Sequence, residues 1–165
     1  MKFQDERHGK LVVVAHCILN QNSRVLGTAH YPAAIDEIID VLRRYDVGFL
    51  QMPCPELTYA GAKRPSKIRE EYNTPSYRKH CKQIAISTAN QLREFAKNDI
   101  KAITVLGIKN SPSCDVGDSA DETGILMAEL MAELEKRRLK ILMHAINMHE
   151  TVADVKWLEN ILKTV

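Results

Sequence analysis

Residues 101–114 read KAITVLGIKNSPSC, and the fold is decided by how this stretch is read. Ile103, Val105, Leu106 and Ile108 form a near-continuous apolar, β-branched run of the kind found in a strand covered on both faces. Gly107, Asn110 and Pro112 then break the pattern, and the turn that follows carries Cys114. Two other segments repeat the plan. Residues 11–17, LVVVAHC, end on Cys17, and residues 47–54, VGFLQMPC, end on Cys54 with Pro55 and Glu56 directly behind. In an open parallel sheet the carboxyl ends of the strands form the ligand-binding edge, so thiols far apart in sequence can meet there.

The connections suit that sheet. Residues 32–45 place Ile35, Ile38, Ile39 and Leu42 at helical spacing behind Pro32, which predicts an amphipathic helix returning the chain to a parallel strand. Residues 76–97 carry a second helical stripe of Tyr77, Cys81, Ile84, Ala85, Thr88, Leu92 and Phe95. Ser119 with Glu122 reads as a capping box opening a third helix, whose buried face is Met127, Leu130, Met131 and Leu134. Residues 139–146, LKILMHAI, form a fourth apolar run, and Val152, Leu158, Ile161 and Leu162 predict a last helix. The longest irregular stretch lies between Glu56 and Pro75. It holds Lys63, Arg64, Lys67 and Arg69 and starts beside Cys54, so it is either a lid over a site or a solvated excursion. The expected architecture is α/β: a single three-layer Rossmann-like domain over residues 1–165, with a mostly parallel sheet of about four strands flanked by helices.

Composition narrows the partners. The 165 residues include 23 basic and 21 acidic side chains for a net charge of +2, with no long run of one sign, so no nucleic acid partner is expected. No apolar stretch approaches the roughly 20 residues that span a bilayer, and the start MKFQDERHGK lacks a signal-peptide core. A cytoplasmic location without a membrane partner is the expectation, and a small molecule is the expected ligand. None of the four cysteines is spaced as C-x-x-C or a zinc finger, so a metal site has to be assembled by the fold. Cys81 sits on an apolar helical stripe and reads as a small hydrophobic residue. Cys17, Cys54 and Cys114 instead stand at strand ends, and three thiolates converging there form a soft ligand set suited to an iron-sulfur cluster or zinc. His16, His30, His144 and His149 read as packed groups, or as groups that orient ligands from behind.

The same residues carry a family resemblance. CILNQNSRVLG, then CPE, then KNSPSC, in that order over about residues 11–146, resembles the thiouracil desulfurase family. That resemblance implies a 4Fe-4S cluster held by Cys17, Cys54 and Cys114, with the iron lacking a protein ligand taking sulfur from a thiolated pyrimidine. It also implies that Ser111 and an acidic residue near the second cysteine serve the substrate. Glu56 is the nearest carboxylate, and Gln51 lies just upstream. Asn20 and Ser23 stand where family members often carry a glycine and a further cysteine, and Asp115 replaces their glycine after SPSC. The expected function is therefore a divergent desulfidase that removes sulfur from a thiolated heterocycle or related small molecule, with Glu56 as acid or base and Ser111 as hydrogen-bond donor. The alternative is a non-catalytic metal- or cluster-binding redox sensor that uses the same three cysteines. A nucleotide-binding module is disfavoured, because no G-x-G-x-x-G or P-loop follows any strand.

Overall fold

The computed structural model describes residues 3–165. Four strands, β1 (Lys10–Val14), β2 (Gly48–Gln51), β3 (Lys101–Ile108) and β4 (Leu142–Ile146), form one sheet in the order β2-β1-β3-β4. Every pairing is parallel. The two central strands carry the expected covered-strand chemistry: Val12, Val13 and Val14 of β1 and Val105 and Leu106 of β3 are fully buried.

Helices complete three layers. α2 (Asp36–Arg44) links β1 to β2, α5 (Pro75–Lys97) precedes β3, α6 (Ile125–Lys136) links β3 to β4, and α7 (Val152–Lys163) closes the chain. The first crossover runs toward β2 and the later ones run the opposite way. With right-handed connections this reversal puts α2 on one face of the sheet and α5 and α6 on the other. The packing agrees, since α5 lies against α6 while α2 lies against α7, joined by the Arg44–Glu159 ion pair at 2.8 Å. The reversal leaves a topological switch point between β1 and β3, where a crevice opens beyond the carboxyl ends of the strands. Among the described residues no helix is long and apolar enough to cross a membrane.

Several local expectations change. The strands stop at Val14, Gln51 and Ile108, so each cysteine lies past the strand in the connecting segment. Cys17 falls in α1 (His16–Leu19), and Cys54 caps α3 (Pro55–Ala60). The region after Glu56 is not one irregular loop: it holds α3 and a further short helix, α4 (Arg69–Tyr72). α2 begins at Asp36 rather than Pro32, because the chain before it is pinned to the segment after β1. Gln21 N–H donates to the Ala33 carbonyl at 2.6 Å, and Ile35 N–H donates to the Ile18 carbonyl at 2.9 Å. Ser119 and Glu122 do not open α6. They form a tight turn, with Glu122 and Thr123 N–H groups on the Ser119 carbonyl, and α6 starts after Gly124.

What opens α6 is the SPSC loop itself. Ile125 N–H donates to the Pro112 carbonyl at 3.1 Å, and Leu126 and Met127 donate to the Ser113 carbonyl at 3.0 and 3.2 Å. These are the orphan donors of a first turn, met here by main chain instead of a capping side chain. The loop returns to its own strand through Ile108 N–H and the Cys114 carbonyl at 2.9 Å. Gly107 makes that approach possible, because a Cβ there would run into the Cys114 carbonyl and stand 3.1 Å from Met127 Cε. Gly107→Ala is therefore expected to lower stability by about 1–3 kcal/mol through overpacking. A denaturant midpoint unchanged from wild type would show that the strand and the Cys114 loop are not held this closely.

Candidate functional site

The carboxyl edge of the sheet opens into a cleft of about 1130 Å³, lined by Cys17, Cys54 and Cys114 together with Glu56 and Ser111. All five sequence-derived site residues thus meet in one cavity. Gln51 does not line it, and instead donates to His16 Nδ1 at 2.6 Å. A smaller hollow of about 470 Å³ between Gly9, Phe49 and Ile100 contains no cysteine.

Each thiol is held by a different local device. Cys17 follows β1, where the buried Gln21 donates to its carbonyl at 2.8 Å. Burial pushes the Cys17 thiol up to about 11, against the opposing pull of the Arg24 guanidinium beside it. Cys54 is the N-cap of α3, and its sulfur accepts from Leu57 N–H at 3.5 Å. Burial raises its pKa, and the Leu57 N–H works in the opposite direction. Cys114, 8% exposed, is also raised by burial, and then by the charge that Cys17 and Cys54 would carry. Cys54 acts on Cys17 in the same way, so the three sulfurs lie within electrostatic reach of one another.

Ser111 and Glu56 have distinct partners. The Ser111 hydroxyl oxygen accepts from Cys114 N–H at 3.0 Å and Ser113 N–H at 3.3 Å, which shapes the loop and leaves its own hydrogen free to donate. Glu56, in the first turn of α3, is 9% exposed and bonded to Ser113, whose hydroxyl donates to Oε1 at 2.9 Å. Because the Ser113 hydrogen is committed to the carboxylate, Tyr77 must donate to the Ser113 oxygen across their 2.6 Å contact. Burial keeps the Tyr77 phenol protonated. On the other side, Arg64 Nε stands 3.5 Å from Glu56 Oε2 with its own side chain 2% exposed. The angle gives no hydrogen bond, so the contact is a buried charge pair, while Arg64 Nη2 donates to the Ser23 carbonyl at 2.8 Å.

Ser113, Tyr77 and Arg64 are the site residues that sequence reasoning missed. The second serine of SPSC, adjacent to Cys114, was the available signal, whereas Arg64 was hidden in a cluster that reads as surface charge. A second member of that cluster, Arg69, donates to the Thr123 carbonyl at 2.7 Å and the Ala120 carbonyl at 3.3 Å. The expected lid segment is therefore tied to the approach to α6.

A relative places the chain. The uncharacterized protein MJ0003 of Methanocaldococcus jannaschii is 39% identical over 158 residues, covering 93% of this chain and 97% of its own length. This chain belongs to its family. No family model matches the chain, and no solved structure matches it.

The donor set fits a thiophilic group. Three sulfurs suit iron-sulfur or zinc chemistry, and hard cations prefer oxygen. A single zinc takes its sulfurs at about 2.3 Å. Among the described residues, no group of three or more His, Cys, Asp or Glu stands close enough to share one ion. A group spanning all three thiols has to be larger, as a cluster with separate irons is.

Two outcomes check this geometry. Ser113→Ala leaves Glu56 Oε1 and the Tyr77 hydroxyl without a partner, so it should cost about 1–3 kcal/mol of stability. Ser111→Ala, at a half-buried turn, should cost less, and an equal or reversed order in thermal denaturation contradicts the network. In metal-free protein the thiolate fraction sets the alkylation rate. Burial disfavours the anion, so Cys17 alkylation followed by mass spectrometry should climb with pH toward about 11. An inflection in the neutral range would show a solvated or activated thiol instead.

Proposed function

We propose that this chain is an iron-sulfur-dependent desulfidase that removes sulfur from a thiolated heterocycle or related small molecule and releases sulfide. What supports the reading is that three thiols from three separate strand ends share a cleft at the switch point with a buried, ion-paired carboxylate. Cys17, Cys54 and Cys114 would hold a 4Fe-4S cluster, which supplies a Lewis-acidic iron for the substrate sulfur.

The remaining chemistry falls to the chain's own side chains. Glu56 takes a proton from water as the water oxygen bonds to the thiocarbonyl carbon, and the carbon-sulfur bond then breaks with its electron pair leaving on sulfur. The proton returns to the departing sulfur, so hydrolysis consumes one water and needs no external reductant. Arg64 favours the charged form of Glu56, and Ser113, backed by Tyr77, fixes which carboxylate oxygen stays free. The Ser111 hydrogen is available to the oxygen that develops charge on the attacked carbon.

The test is sulfide and uracil release from thiouracil by the anaerobically reconstituted protein. Wild type should release both in equal amounts. Glu56→Gln should bind the same iron while turning over on the order of 100-fold more slowly, and Ser111→Ala should show a comparable loss. A colourless zinc-containing protein, or full turnover in both variants, would reject the desulfidase reading.

A further inference from the structure

The last strand supplies a group that the thiols do not use. His144 stands on β4 opposite Leu106 and lines the same cleft, with its side chain 26% exposed. Its ring is fixed twice. Nε2 lies 2.7 Å from Asp154 Oδ1, and the Trp157 ring stacks on it with centroids 3.9 Å apart and planes 11° from parallel. Asp154 is itself anchored in the first turn of α7, where it is buried and its Oδ2 accepts the Asn147 N–H at 2.7 Å.

This arrangement sets the tautomer. An ionised carboxylate only accepts, so Nε2 carries the hydrogen, and Nδ1 of the neutral ring is a bare acceptor. Among the described residues Nδ1 has no hydrogen-bond partner. Ordering an imidazole against both a carboxylate and an indole, with one nitrogen left over beside a cleft, is the arrangement of a base held by a third group. We infer that His144 Nδ1 accepts a hydrogen bond from an N–H of the ligand in this cleft. The inference rests on the reading of the cleft as a substrate site and narrows the substrate class. The ligand is a heterocycle that keeps a ring N–H on the side facing β4, and compounds with every ring nitrogen substituted are excluded.

Asp154→Asn tests the tautomer directly. The Asn147 N–H requires an oxygen, so the new amide must turn its NH2 toward Nε2, which then has to accept, and the ring hydrogen moves to Nδ1. Nitrogen NMR of the histidine rings in the full chain should report a bare Nδ1 in wild type and a protonated Nδ1 in the variant. Uracil serves as the probe, with uracil methylated on both ring nitrogens as the control, so neither sulfide release nor a loaded cluster enters the result. Uracil should bind wild type and lose affinity on the order of tenfold in Asp154→Asn and in His144→Ala, about the effect of one hydrogen bond. The methylated control should bind wild type more weakly than uracil does and gain nothing from an intact His144. A protonated Nδ1 in wild type, no binding of uracil, or equal binding of uracil and control by all three proteins would overturn the inference. The tautomer readout keeps the test valid even if His144→Ala fails to fold.

Discussion

The hydrogen bond from Ile108 N–H to the Cys114 carbonyl, 2.9 Å long, holds the third thiol in place, and much of the site follows from it. It folds the SPSC loop back onto the end of β3, which requires Gly107, and it presents the Pro112 and Ser113 carbonyls to the first turn of α6. Gly124 permits the second approach, since a Cβ there would collide with the Ser113 backbone. The loop, the strand end and the helix start are thus one unit. The helix N-terminus is satisfied by carbonyls and not by a thiolate, which accords with the Cys114 thiol staying protonated until a metal replaces its proton.

The second constraint is the charge buried beside the thiols. Glu56 and Arg64 are both withdrawn from water, a costly arrangement that persists only if each charge keeps a partner. Arg64 reaches the Ser23 and Gly61 carbonyls, and Glu56 takes the Ser113 hydroxyl, so segments after β1, β2 and β3 are locked together by one polar network. The three segments are the same ones that deliver the three cysteines. Removing one partner of a buried pair typically costs about 3–5 kcal/mol. Catalytic geometry and fold stability are therefore coupled at Glu56.

Much of this was legible in the sequence. Apolar runs ending near Cys17, Cys54 and Cys114 were enough to expect a parallel sheet with three thiols on one edge, because strand chemistry and crossover handedness act locally and have few solutions. The strand order extends that argument: β1 beside β2 and β3 beside β4 bring the neighbours together, and the reversal between β1 and β3 makes the crevice. What escaped were features set by tertiary contact. Ser119 and Glu122 match a capping box, yet the SPSC carbonyls take the donors that such a box would serve. Pro32 suits a first helical turn, but pairing with Gln21 and Ile18 delays α2. Arg64 looks like one more surface cation, and only its burial against Glu56 separates it from Lys63. Ser111 and Ser113 are equivalent in the motif, and the fold decides which one meets the carboxylate.

The central claim is that three cleft thiols, and not the fourth cysteine, hold one shared cofactor with a position left open. Cys81 is fully buried on α5 and does not line the cleft. Iron and acid-labile sulfide per chain, measured after anaerobic reconstitution of Cys81→Ala beside Cys17→Ala, Cys54→Ala and Cys114→Ala, decide the matter. The account predicts about four irons and as many sulfides in Cys81→Ala, and loss of the cluster in each of the other three. If Cys81→Ala loses iron as completely as Cys114→Ala, all four cysteines are ligands, no iron is open, and the account fails.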